Sequence, residues 1–518
     1  MPTPTIDRET ELVVSPPLDP EPAKELDRSL VHGVAWTAGI KWSVQLLVWI
    51  STFVVIRLLQ PSDYGTMGMA GLFVGLIQML SEFGVGTAVV TLHRLKEEHL
   101  AQLNGLAVLL GIAGFAAVSA AAVPLGWFFA TPTLPPVIVT LGMGFVISGL
   151  GVVPSALLTR DMDFKRVALY GGAQALLASA ATLTLAVLGF AYWSLVVGNL
   201  AGLALFSALV MRRRPTRFAR PRRASIREAL NLSTNVIVGR VSWYVYSNAD
   251  LLTIGRVLGQ TALGFYTVGW TLATMAVDKI TATLGQVTPS IFSAAQNDPA
   301  ALRRYLCRIT EALAVVTFPI CVGLALVATP ATEVLLGPKW ISVATPLRIL
   351  AIFGTLRSIT AFLTQILNVV GDSFFPMALG VVSAILFPIA FFVGSRWGIE
   401  GVAYTWLVLY PLVCVPLYRR VMQRIQLSLR EYMRALWPAL SASTGMSIVV
   451  LGVEAAMPRS AAPLWQLIIP VVAGAAVYVA VILVLHRSRL AVLRSVASGS
   501  FGTPKPQADV PSASAAIL

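Results

Sequence analysis

Arg57-Leu58-Leu59-Gln60-Pro61-Ser62-Asp63-Tyr64-Gly65 separates two long apolar segments. Gly33 to Ile56 carries a single full charge, Lys41, and Thr66 to Leu92 carries only Glu82. About 20 mostly apolar residues suffice to cross a bilayer as a helix, so each segment is long enough to span one with some tilt. The six residues from Gln60 to Gly65 are rich in helix breakers and read as the turn of a transmembrane hairpin. The same pattern returns 199 residues later as Arg256-Val257-Leu258-Gly259-Gln260-Thr261-Ala262-Leu263-Gly264, and that offset lays Lys41 on Arg240. Internal duplication is the common plan of secondary transporters, whose site lies between the repeats near the midplane.

The chain as a whole agrees with a membrane reading. Of its 518 residues 56% are hydrophobic and only 12% charged, against about 25% charged in soluble domains. The first apolar run is too long for a cleavable signal, and a Pro-rich, acidic tail precedes it. Apolar runs predict fourteen spans, giving an all-α polytopic protein: a cytoplasmic tail 1–32, a first lobe of six spans over 33–211, a basic linker 212–231, a second lobe of six over 232–420, two further spans over 421–486, and a tail 487–518.

Loop charge orients these spans. The net charge of +14 would suit nucleic acid if it were spread over one soluble face. Instead the cations gather in alternate loops: Arg94 and Lys96, then Arg160, Lys165 and Arg166, then the linker from Arg212 to Arg223, and later Arg419, Arg420 and Arg424. That is the positive-inside pattern; it predicts both termini in the cytoplasm, anionic lipids as partners of the linker, and no nucleic acid. Cys307, Cys321 and Cys414 have no metal-ligand spacing, so free thiols and no metal or cofactor are expected.

With hairpin, repeat and spans in hand, the sequence resembles the Wzx-type oligosaccharide flippases of the multidrug/oligosaccharidyl-lipid/polysaccharide exporter superfamily. The resemblance rests on the Arg57–Gly65 stretch followed by Ser81-Glu82-Phe83-Gly84-Val85-Gly86, on Asn248-Ala249-Asp250, on Gly255-Arg256 with Leu263-Gly264-Phe265-Tyr266, on Pro289 with Asn297-Asp298-Pro299, and on Leu336-Gly337-Pro338-Lys339-Trp340. It implies a non-enzymatic carrier in the bacterial plasma membrane that flips an undecaprenyl-diphosphate-linked oligosaccharide by alternating access. It further implies a polysaccharide polymerase and export machinery as partners. The alternatives are a drug or cation exporter or a peptidoglycan-precursor flippase of the same superfamily, or a membrane glycosyltransferase or polymerase. A drug exporter would favour acidic cavity groups, and a transferase would need a large outer loop with clustered carboxylates.

A diphosphate carrier needs positive charge inside the membrane, where each charge is costly enough to require a reason. The candidates are Lys41, Arg240, Lys279, Arg348 and Arg357, since Arg grips phosphate with two parallel hydrogen bonds and Lys acts as a point charge. Glu82 and Asp250 either bind a coupling proton or sodium ion or close a salt bridge with Lys41 or Arg240. Arg357 is expected deeper than Arg348, and Trp243 with Tyr244 could stack on sugar rings.

Overall fold

In the computed structural model the described residues are 44–81, 85–91, 96–221, 234–285, 287–458 and 460–487, and all regular structure among them is helical. Lys41 and Glu82 lie outside the described residues. Helix α1 (Val44–Leu58) meets α2 (Pro61–Ser81) at a break bent by 118°. The turn is tighter than the sequence predicts, because α2 starts at Pro61 and not after Gly65. Proline is well suited to a first helical position, where its missing N–H would be unpaired anyway. The Asp63 carboxylate accepts the Gln60 N–H at 2.8 Å, satisfying one of the donors exposed at the helix start.

The first half continues as α3 (Val85–Thr91), α4 (Glu97–Phe128), α5 (Leu134–Arg160), α6 (Phe164–Val187) and α7 (Tyr192–Arg213). The second half repeats the opening move. Helix α8 (Thr234–Thr253) runs into a π-helical turn (Ile254–Leu258), reverses at Gly259 with φ +87°, and returns as α9 (Gln260–Gly285). After α10 (Thr288–Ala294) come α11 (Pro299–Leu326), α12 (Ala328–Leu335), α13 (Ala344–Thr360), α14 (Leu363–Val369), α15 (Phe374–Gly394), α16 (Gly398–Ile425), α17 (Leu429–Ala456) and α18 (Pro463–Leu485). Among the described residues nine helical segments are long and apolar enough to cross a membrane, or ten if the bent pair α1–α2 is one span. The segment 374–425 enters that number as one continuous stretch.

The two halves meet chiefly through α2 and α9, and the contact has the symmetry of the repeat. A Cβ on Gly65 would overlap the backbone carbonyl of Gln260, and a Cβ on Gly264 would overlap that of Pro61. Gly65 and Gly264, and Pro61 and Gln260, are the pairs the 199-residue offset equates. Glycine at each crossing lets the backbones touch, so the two copies pack directly on each other. Around this crossing one core joins both halves, with Ile56, Met69 and Leu134 against Leu263, Tyr266 and Trp340.

The last carbonyls of α1, which have no partner within their own helix, are taken up by the second half. Buried Trp340 donates Nε1–H to the Ile56 oxygen at 2.8 Å, and Lys339 Nζ donates to Leu58 oxygen at 3.3 Å. In return Arg57 donates to Val334 oxygen at 2.5 Å. The matching corner is more apolar: the Arg256 guanidinium lies 5.6 Å from the Phe128 ring centre, and Phe129 fills the space beside Gly255.

The basic linker is docked along its described part. Ala219 N–H donates to Ala101 oxygen at 3.0 Å, and the buried Asn104 donates Nδ2–H to Thr216 Oγ1 at 2.8 Å. A Cβ on Gly105 would overlap the Ala219 carbonyl. Gly105→Val should therefore lift the linker off α4 and expose it to trypsin between Arg217 and Arg220, with cleavage in membranes at least about fivefold faster than wild type; an unchanged rate would mean that the linker is not held there. Two arginines fix another loop, between α14 and α15. Arg420 Nε and Arg424 Nη2 sit 2.7 and 2.9 Å from one oxygen of Asp372, and the hydrogen bond from Arg420 leads in holding that carboxyl below the usual carboxylate range.

Candidate functional site

A cavity of about 540 Å³ opens inside the second half. Its walls are α8, α9, α13 with α14, α15 and α16, and every lining side chain among the described residues comes from that half. The site is thus off the junction between the repeats where duplication alone would place it. It also lies at the end of the bundle remote from the hairpin turns. Arg240 and Trp243 come from the half of α8 away from Gly259, and Asn368 and Ser373 flank the Asp372 loop.

One face of α13–α14 supplies much of the polar wall. Arg357, Thr360, Ala361, Thr364 and Asn368 recur at intervals of three, one, three and four residues, the spacing of one helical stripe. Arg357 Nη1 stands 3.0 Å from Asp278 Oδ1, with the two side chains 32% and 49% exposed. That nitrogen makes no aligned hydrogen bond, so the pair is held by charge and Arg357 keeps donors for an incoming anion. Its guanidinium also lies 5.8 Å from the ring centre of Trp270, an orientation favourable to a cation. Arg240 lines the opposite wall on α8.

The remaining wall is aromatic. Trp243, Tyr246, Phe387 and Tyr410 face the space, with Tyr246 stacked on Phe387 at 5.5 Å and the Tyr410 hydroxyl 2.7 Å from Thr360 Oγ1. Behind them Trp406 packs against Phe353, Phe387 and Phe391 at 4.9–5.1 Å. Trp406 also donates Nε1–H to Asp250 at 3.0 Å, and Tyr266 O–H donates to the same carboxylate at 2.7 Å. Asp250 is 1% exposed and accepts in addition from Leu251 N–H at 2.8 Å. Neutral donors therefore hold it. No ion pair among the described residues includes it; Lys41, the interhelical partner considered for it, lies outside them.

The other candidates scatter. Lys279 points about 100° away from Asp278 on α9 and is exposed outside the cavity. Arg348 is also outside it: Nε donates to Ala325 oxygen at 3.2 Å and Nη2 to Thr329 Oγ1 at 3.3 Å, which braces α11 and α12. Of the pair offered for sugar stacking, Trp243 faces the cavity, while Tyr244 donates its hydroxyl proton to Leu72 oxygen at 2.6 Å across the junction with α2. Asn368, Thr360 and Tyr410 are wall residues that a search for charges passes over; the stripe beginning at Arg357 was the signal for the first two.

A duplicated helical bundle with a cationic, aromatic-walled hollow belongs to the class of multi-pass membrane transporters. The chain belongs to the polysaccharide biosynthesis protein family, whose sequence model matches residues 54–345. It is 23% identical to the lipopolysaccharide biosynthesis protein WzxC of Escherichia coli, over 82% of this chain and 89% of that one. It is 24% identical to the succinoglycan biosynthesis transport protein ExoT of Rhizobium meliloti, over 60% and 64%. In fold it resembles the lipid II flippase MurJ in an inward closed conformation, with a TM-score of 0.64 and 13% identity over 87% of this chain and 99% of that one. An inward-facing multidrug transporter of the MATE family gives 0.60 and 16% identity over 75% and 98%.

Proposed function

We propose that this protein carries a polyprenyl-diphosphate-linked oligosaccharide from the inner to the outer leaflet of a bacterial plasma membrane, by alternating access and without breaking a bond in its cargo. The observation that carries the reading is the pairing of Arg240 and Arg357 with an aromatic wall in one hollow. Guanidinium forks suit a diphosphate, and ring faces suit sugars. The positive-inside pattern supports taking the end at Asn368 and Ser373, next to the Asp372 loop held by Arg420 and Arg424, as cytoplasmic, with the Trp340 end then facing outward. The polyprenyl tail stays in lipid while the hydrated head crosses. The test is flipping of a fluorescent polyprenyl-diphosphate glycan by purified protein in liposomes. Head-group exposure on the far leaflet supports the reading. Transport of an organic cation without the glycan would favour the drug exporter instead.

Asp250 is the candidate for energy coupling, because a buried carboxylate held by neutral donors has room to exchange a proton. Asp250→Asn keeps an acceptor for Tyr266 and Trp406 but cannot ionise. It should leave glycan binding within about twofold and lower pH-driven flipping at least about tenfold. Flipping at the wild-type rate would remove Asp250 from the coupling step.

A further inference from the structure

Helices α11 and α17 start side by side: Arg303 Nη1 donates at 3.2 Å to the carbonyl of Gln426, three residues before α17. Between their first turns lies a second hollow of about 400 Å³, lined by Arg303, Arg304, Arg308 and Arg434 together with Glu311 and Glu431. The four guanidiniums outnumber the two carboxylates. One of those, Glu431, already serves as a helix cap, accepting the Ser428 N–H and Oγ–H at 3.2 and 3.1 Å. Glu311 is buried at 4% exposure, whereas the Arg304 side chain is 60% exposed and stands 4.0 Å from Asp298, which still leaves the arginines in excess. The rim of the hollow is therefore cationic.

What lies next to that rim selects the occupant. Trp437 follows Arg434 by one turn on α17 and is 61% exposed, while Leu429 and Met433 lie on the face turned away from the hollow. Its indole is of the kind that settles at headgroup depth. A ligand anionic at one end and hydrocarbon at the other matches both features, and basic pockets between membrane helices on the cytoplasmic side hold phospholipid headgroups.

We propose that this hollow is a binding site for the phosphate headgroup of an anionic phospholipid, with its acyl chains passing Trp437. The lipid would pin the start of the appended helix pair α17–α18 to α11, apart from the transport cavity. The site depends on the proposed orientation but not on the identity of the cargo.

Cys307 lines the same hollow and is one of three cysteines, so it is a built-in reporter. Full-length protein carrying Cys321→Ser and Cys414→Ser is placed in nanodiscs of phosphatidylcholine, with or without cardiolipin, and labelled with a water-soluble maleimide. Cardiolipin should slow labelling of Cys307 at least about fivefold, the worth of one arginine–headgroup contact. Arg308→Gln with Arg434→Gln should abolish the difference. Equal labelling in the two nanodiscs overturns the site without any arginine variant. So does equal protection by inorganic pyrophosphate in phosphatidylcholine alone, which would mark a soluble anion. A lipid effect that survives in the double variant would place the lipid elsewhere and overturn it as well.

Discussion

Arg357→Ala should lower glycan flipping by about a hundredfold in liposomes while the protein remains folded and inserted. Two charge-assisted hydrogen bonds to a phosphate are each worth about 1.5–3 kcal/mol, and about 3 kcal/mol together is two orders of magnitude. The change also strands Asp278, turning a neutral pair into a negative wall facing a negative cargo. Stability should move little, because an ion pair this exposed contributes at most about 1 kcal/mol. Arg357→Lys should fall between the two, keeping the charge and losing the fork. Arg240→Ala should act in the same direction through the opposite wall. Wild-type flipping in both alanine variants would remove the cavity from the mechanism.

The second large effect concerns the crossing of the two copies. Gly264→Val places side-chain carbons where the Pro61 carbonyl now sits, and Gly65→Val does the same against Gln260. Overpacking in a well-filled core costs about 1–3 kcal/mol when side chains can move aside; here the obstacle is backbone, so the helices themselves must separate. Both variants should melt several degrees below wild type in detergent. A cysteine placed at Met69, fully buried beside the crossing, should become reactive to aqueous thiol reagents. Gly71→Ala on the same helix, where a Cβ meets nothing within 4 Å, is the control and should match wild type. If Gly264→Val also matches it, the crossing is not a close contact in the membrane.

These expectations mark how far the sequence could be read. The duplication was legible because Arg57–Gly65 and Arg256–Gly264 share turn chemistry as well as hydropathy, and the structure shows why: each equated glycine lies against the first residue of the other copy's returning helix. The length of the first turn was not legible, since Pro61 breaks a helix in its interior but starts one well. The cavity was half legible. Arg240 and Arg357 stand out as membrane charges, yet Lys279 and Arg348 stand out equally, and only the rotation of each helix separates lining from bracing. In helices apolar on nearly every side, hydropathy carries little information about rotation. Asp250 shows the same limit, because its partners Tyr266 and Trp406 are donors that a search for opposite charges overlooks.

The carbonyls of Ile56 and Leu58 set the idle posture of the molecule. In the proposed alternating access, opening the Trp340 end requires Trp340, Lys339 and Arg57 to release their backbone oxygens, and at about 1 kcal/mol apiece that would leave roughly one empty carrier in a hundred ajar. On the proposed reading a vacant carrier would wait with its hollow turned to the compartment where cargo is assembled, and the barrier against small ions would stay intact between loads.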